Sequence, residues 1–214
     1  MRECDFCDEF SSGQDNAYAR RYGPGSRLLI DGPFAVLPTL GQLAEGHLLI
    51  VPSVHLRALA DLSHGRIQQM ESLCRQVRSA LTNVYGDCIF FEHGIRSEGS
   101  GGCGIDHAHM HAVPVQADGV LNLLAKTFSG NRICSLAEVK GLRSSYLFFE
   151  SASTERHVFL VDGSLPSQYM RRLVAETIGK ADWDWRRSGR EPELRATMHR
   201  LLPIFSPLIA AAGE

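Results

Sequence analysis

The sequence predicts an α+β fold: an antiparallel sheet, one long helix, and a C-terminal α/β extension. Three observations carry this. Residues His107-Ala108-His109-Met110-His111-Ala112-Val113 alternate histidine with apolar residues, the period of a β-strand. Residues 63–86 hold apolar side chains at helical spacing between two end signals. Short apolar runs precede that helix, and two follow it placed to pair antiparallel, an order typical of α+β folds.

In chain order, residues 11–27 are rich in Ser, Gly, Asn and Arg and read as an irregular loop. Leu28–Ile30 and Phe34–Leu37 flank the turn signal Asp31-Gly32-Pro33 and read as a hairpin. Gly46 to Pro52 is a buried-type strand closed by proline. Ser63 is placed to cap a helix whose apolar side is Ile67, Met70, Leu73, Cys74, Val77, Leu81 and Val84, with Gly86 ending it. Cys88 to Glu92 is the next strand, a Gly/Ser-rich loop spans Gly94 to Gly104, and the histidine strand runs to Pro114. Further on, Tyr146–Glu150 and His157–Val161 read as strands. Pro166–Ile178 and about Glu191–Phe205 read as helices. Trp183 and Trp185, between these helices, read as packing anchors.

A chain of 214 residues is long enough for one domain with a real core, or one domain plus an appendage. Its formal net charge of −2 argues against a nucleic-acid polymer as partner. No apolar run reaches the roughly 18–20 residues of a membrane span, so no membrane partner is expected. The segment Met1-Arg2-Glu3-Cys4 has no apolar signal region, and the expectation is a cytoplasmic enzyme without disulfides. Cys74 and Cys88 then read as small buried hydrophobes.

The histidine strand is the chemical centre. Period two sends His107, His109 and His111 to one face, and Ala108, Met110 and Ala112 to the core. An imidazole can bind metal, attack phosphorus or carry a proton near neutral pH. Cys4-Asp5-Phe6-Cys7 is a C-x-x-C pair, open to metal, redox or chance readings. A structural zinc site needs about four ligands. No second C-x-x-C exists, so histidines must complete it, and His55 and one triad histidine are the candidates. A competing arrangement gives His107, His109 and His111 jointly to a catalytic zinc. The loop Glu98-Gly99-Ser100-Gly101-Gly102-Cys103-Gly104 leads into the strand, and its backbone N–H groups suit a phosphate nest.

His107 to Val113 resembles the signature of the histidine triad (HIT) superfamily, histidines alternating with apolar residues. Gly46-His47-Leu48-Leu49-Ile50-Val51-Pro52-Ser53-Val54-His55 resembles the family's upstream strand, which ends in Pro-x-x-His. The resemblance covers roughly residues 4–115 and implies a catalytic domain over 1–115, with 116–214 as an extension packing on it. It implies a sheet of about five strands, a homodimer, and a nucleotide or nucleotide conjugate as substrate. The middle histidine, His109, would attack the α-phosphorus and form a nucleotidyl-histidine intermediate. Zinc-bearing members, including galactose-1-phosphate uridylyltransferase, imply Cys4, Cys7, His55 and His107 as ligands of a structural Zn²⁺.

The resemblance leaves His111 to donate to phosphate oxygens. His47 on the neighbouring strand is a second candidate, against a water-facing edge histidine. Ser100, Gly101, Gly102, Cys103 and Gly104 are candidate substrate contacts. The uridylyltransferase branch carries glutamine where this chain has His111, which favours hydrolysis over nucleotidyl transfer or phosphorolysis. Gly104 falls where many members place a phosphate-binding serine. Glu92-His93-Gly94 stands near a family asparagine, so His93 is a candidate for its role or for an acid. Base and ribose contacts are expected around Phe34 to Leu43. A binder that kept the fold and lost turnover is the alternative, which the intact triad disfavours.

Overall fold

The structure is a computed structural model that describes residues 4–11, 17–22, 26–96 and 104–211. Two short helices come first, α1 (Asp5–Ser11) and α2 (Ala17–Tyr22). The hairpin β1 (Phe34–Pro38) and β2 (Leu48–Pro52) follows, then α3 (His64–Tyr85), β3 (Ile89–Gly94) and β4 (Met110–Val113). The remainder holds α4 (Gly119–Thr127), β5 (Gly130–Ile133), β6 (Ser145–Glu150), β7 (Arg156–Val161), α5 (Tyr169–Thr177) and α6 (Glu191–Ala211).

Seven strands make one antiparallel sheet in the order β1-β2-β4-β3-β6-β7-β5. Residues 1–115 supply four of these strands, and the extension adds β5, β6 and β7 to the same sheet, which brings it past the expected five. The join is the β3–β6 ladder, which runs from Phe90↔Glu150 to Gly94↔Tyr146.

The long helix has the ends the sequence predicts. Ser63 accepts a hydrogen bond from the Arg66 N–H, and Gly86 closes the helix at φ +93°, a conformation that favours glycine. Ile67, Met70, Cys74, Val77 and Leu81 pack on one face of the sheet against Phe90, Met110, Ala112 and Phe148. On the other face Phe91, Val113, Leu147 and Phe149 meet Val120 and Leu124 of α4 and Met170, Leu173 and Val174 of α5. Each such side chain stabilises the fold by about 1.5–3 kcal/mol when removed from water. Cys74 and Cys88 are buried, as expected.

Several elements depart from the sequence reading. Residues 17–22, within the expected loop, are helical. Leu28–Ile30 is not a full strand; Ile30 makes one isolated bridge with Val36. Regular pairing of the histidine strand begins only at Met110. The expected helix from Pro166 starts at Tyr169, and the last helix runs on to Ala211. Among the described residues, no helix is long and apolar enough to cross a membrane.

Candidate metal centre and active site

Helix α1 brings the C-x-x-C pair to the start of the histidine strand. Phe6 is buried against Ala35, Leu37, Leu49 and Val51, and Glu9 forms a buried two-pronged ion pair with Arg27 at 2.8 and 2.7 Å. Arg27 also donates to the Pro38 carbonyl at the end of β1. These contacts fix the helix on the sheet, with Cys4 and Cys7 facing His107 and His55.

The four side chains form one cluster. One ligand atom from each of Cys4, Cys7, His55 and His107 lies within 4.8 Å of all the others. Sγ of Cys4 is 3.3 Å from Nδ1 of His107, and Sγ of Cys7 is 3.4 Å from Nδ1 of His55 and 3.6 Å from that of His107. Tetrahedral zinc bonds of about 2.3 Å to sulfur and 2.0–2.1 Å to nitrogen place S and N about 3.5 Å apart. The donor set therefore fits such an ion. The tautomer fits as well. His107 Nε2–H donates to the Pro52 carbonyl at 2.9 Å, which leaves the Nδ1 lone pair toward the thiols. Burial, then the neighbouring Cys4, pushes the Cys7 thiol up to about 11, so two thiolates side by side require a cation.

The other two triad histidines point elsewhere. His109 Nδ1–H donates to the His107 carbonyl at 2.7 Å, so the neutral ring carries its lone pair on Nε2. Phe6 packs edge-on against both the His107 and His109 rings. His111 lies between Leu49 and Phe91 in the ladder and stacks on the Phe91 ring at 4.4 Å.

His47 sets the tautomer of His111. Its Nδ1 accepts from the Leu43 N–H at 3.2 Å, so its proton sits on Nε2 and is donated to His111 Nδ1 at 2.9 Å. His111 then carries its own proton on Nε2, which has no hydrogen-bond partner among the described residues. His47 is fully buried, so it is not a water-facing edge histidine. Burial is the main cause of low proton affinity in all these rings. His109 is held down to about 4, and His47 and His111 well below the usual histidine value, with Arg171 adding to each. At neutral pH the site is a row of uncharged imidazoles with fixed donor and acceptor ends.

His93 joins the row. Continued two residues past its last pair, Phe91↔His111, the β3–β4 register sets it across from His109, and its charge would depress that of His109. It is 4% exposed, and neither ring nitrogen has a partner among the described residues. A buried polar group without a partner costs about 1–3 kcal/mol, so such a group marks a place to look for function.

His109 and His111 open into a pocket walled by Phe6, Thr39, Leu40, Leu49, Ile105 and Trp185, with Arg27 and Arg171 as its cations. Thr39 and Leu40 belong to the stretch expected to contact base and ribose. Arg171 does not figure in the sequence reading, and Trp185 figures there only as a packing anchor. Trp183 does pack against the second core, whereas Trp185 is a pocket wall rather than only an anchor. Gly104 is exposed, sits at φ +99°, and its carbonyl accepts from Arg186 at 3.1 Å. Ser100, Gly101, Gly102 and Cys103 lie outside the described residues.

A sequence-family profile described as "Protein similar to CwfJ C-terminal" matches residues 31–129, from β1 through α4. That segment holds the upstream Pro-x-x-His strand, the long helix and the complete triad on its antiparallel ladder. The profile covers less than half of the chain, and over that segment the chain is similar to the family it describes.

Solved HIT structures show similarity at low identity. A HIT family member from Bacillus subtilis is 18% identical over 55% of this chain and 77% of its own, with a TM-score of 0.42. A Zn-bound histidine triad protein from Mycobacterium smegmatis is 18% identical over 54% of this chain and 75% of its own, with a TM-score of 0.36. Yeast Ap4A phosphorylase Apa2, in complex with AMP, is 13% identical over 62% of this chain and 58% of its own, with a TM-score of 0.40. No curated protein sequence matches this chain.

Proposed function

We propose that this HIT-fold chain is a nucleotide-processing enzyme, a hydrolase that attacks the α-phosphorus of a nucleoside phosphoramidate, phosphoanhydride or ester through His109. The observation that carries the reading is the fixed tautomer of His109. Its Nδ1–H is held by the His107 carbonyl, and its Nε2 lone pair is left for the pocket. Burial keeps the ring unprotonated, so the nucleophile is ready at neutral pH.

In the first step Nε2 bonds to phosphorus, and the bond to the leaving group breaks with its electron pair. In the second, water attacks phosphorus and releases a proton to solvent, and the P–N bond returns its pair to Nε2. Charge that builds on the non-bridging oxygens meets the His111 Nε2–H, held in place by His47. His93 offers hydrogen bonds to the same substrate. Cys4, Cys7, His55 and His107 would hold a structural Zn²⁺, which when bound ties α1 to the strand that presents His109. The enzyme is proposed to act as a cytoplasmic homodimer.

The test is covalent labelling. Denatured wild-type protein quenched after mixing with a radiolabelled nucleoside phosphoramidate is expected to carry the nucleotide, and His109→Ala is not. An adduct that persists in His109→Ala would overturn the assignment. Product analysis with and without added phosphate separates hydrolysis from transfer to another acceptor.

A further inference from the structure

A second cavity, of about 470 Å³, lies on the other face of the sheet from the triad. It borders Cys74 and Ile133 of the core under α3, and it shares no lining residue with the pocket at His109 and His111. Its volume falls within the range of about 300–1,000 Å³ usual for small-molecule sites. Four arginines reach it, Arg75 and Arg78 from α3, Arg132 from β5 and Arg156 from β7, against Glu150 and Glu155. We propose that this cavity binds a phosphorylated, non-aromatic polyol, a sugar phosphate by class. Arg75 and Arg132 take the phosphate, and the β6–β7 turn takes the hydroxyls.

The inner arginines make a fixed floor. Arg78 and Arg156 share Glu150, one on each carboxylate oxygen, and Arg156 reaches Glu71 at 3.0 Å. None of these four side chains is more than 17% exposed. The Arg78 guanidinium also lies 4.7 Å from the Phe90 ring centroid. Two cations and two carboxylates answer one another there, so the floor is rigid and balanced in charge.

The outer arginines are not so held. Arg75 is exposed one helical turn after Glu71, the acid with which it would make an i,i+4 pair. Glu71 turns instead to the Ser135 hydroxyl at 3.0 Å, the Leu136 N–H at 2.7 Å and Arg156. Arg75 is left with no hydrogen-bond or charge partner among the described residues. Arg132 meets Glu155 at 3.6 Å with the side chains 69% and 44% exposed, a loose pair that water and salt weaken easily. A phosphate monoester has enough oxygens to be shared by two guanidinium forks, where a carboxylate fills one. Its arrival frees Glu155 from Arg132.

The rest of the wall selects the rest of the ligand. Among the described residues no aromatic ring lines the cavity, so a nucleobase finds nothing to stack on. Thr154 and Glu155 offer a hydroxyl and a carboxylate, groups that pair with alcohols. Their turn is firmly built. Thr154 sits at φ +67°, rare for a β-branched residue, with its N–H donating to the Ser151 carbonyl at 3.0 Å and the Glu155 N–H donating to Ser151 Oγ at 3.0 Å.

Calorimetric titration of the full chain tests this, with ribose 5-phosphate and glucose 6-phosphate against the free sugars, inorganic phosphate and AMP. One sugar phosphate is expected to bind at least about tenfold tighter than its free sugar and than inorganic phosphate. Arg75→Gln and Arg132→Gln are each expected to weaken it about tenfold. Both side chains are exposed, so both variants are expected to fold, as circular dichroism checks. Thr154→Gly suits the backbone angle and removes the hydroxyl, and it is expected to cut the preference over inorganic phosphate about fivefold. AMP binding, where it occurs, is expected to survive Arg75→Gln, since it belongs to the other face. No binding of either sugar phosphate at millimolar concentration overturns the inference, as does full-strength binding in both arginine variants. Inorganic phosphate bound as tightly as the sugar phosphates, or AMP binding lost in Arg75→Gln, overturns the assigned class of ligand.

Discussion

The two faces of the histidine strand are equally dry and chemically opposite. Ala108, Met110 and Ala112 are 3%, 0% and 0% exposed, and His107, His109 and His111 are 2%, 6% and 2%. The alternation suggests a wet face and a core face, but both are interior. One is filled by α3 and needs only shape. The other buries five imidazoles, counting His47 and His93, and most of their nitrogens are answered: His47 by Leu43 and His111, His107 by Pro52 and the thiols, His109 by a strand carbonyl. The nitrogens left over are both of His93, Nε2 of His111 and Nε2 of His109, and the last two rings line the pocket. Burial thus does not separate core from site here; unpaired polarity does.

That contrast can be broken in order of expected size. His109→Ala is expected to abolish adduct formation, a loss of at least about 10³-fold in turnover, with the fold and bound metal retained. A labelled and metal-free variant would reverse the assignment of roles. Cys4→Ser is expected to lower bound zinc and the melting temperature together, because a closed four-ligand site couples metal to folding. Unchanged metal content by elemental analysis would rule out the Cys₂His₂ site. On the opposite face, Met110→Ala is expected to cost about 2–5 kcal/mol in denaturant unfolding while leaving His109 reactive in the folded fraction. A loss of labelling without a loss of stability would show that the faces are not separable.

The smallest effect concerns Glu92 and His93, neighbours on β3 that point to opposite faces. Burial raises Glu92 to about 7 from 4.5, while the Leu59 N–H and the Tyr146 hydroxyl donate to it. Its folded form binds the proton more tightly than the unfolded chain, so its contribution is present below about 4.5 and is lost as pH rises through 7. Burial lowers His93 to about 4 from 6.5, so its contribution is present above 6.5 and is lost as pH falls through 4. Each is limited to about 3 kcal/mol, and the two oppose each other across the same window. Glu92→Gln is expected to steepen acid destabilisation between pH 7 and 4, and His93→Phe to flatten it, both read from urea midpoints against pH. Parallel profiles for the two variants would refute the opposition.

Much of the first 115 residues was legible because the signals there are local. Ser63 and Gly86 mark the helix by capping chemistry, and the histidine period marks the strand. C-x-x-C spacing names a candidate ligand pair, and the structure gathers His55 and His107 beside it. The rest depends on distance in space. Strand β5 is Gly130-Asn131-Arg132-Ile133, an exposed edge with no alternating apolar pattern to betray it. Helix α1 is seven residues long and owes its place to Phe6 and to the Glu9–Arg27 pair. Arg171 reads as one more charge on an amphipathic helix, and Trp185 as half of a packing pair. Only their meeting with Gly41, some 130 residues earlier, makes them walls of the pocket.

The strand order also bears on how the molecule is made. β6 lies beside β3, so the middle of the sheet waits for residues 145–150. A nascent chain that has released only residues up to 129 presents Phe90-Phe91-Glu92-His93-Gly94 as a bare sheet edge, led by two aromatic β-formers and free of proline. Such an edge pairs with whatever strand arrives first. A fragment cut at that point is therefore expected to self-associate.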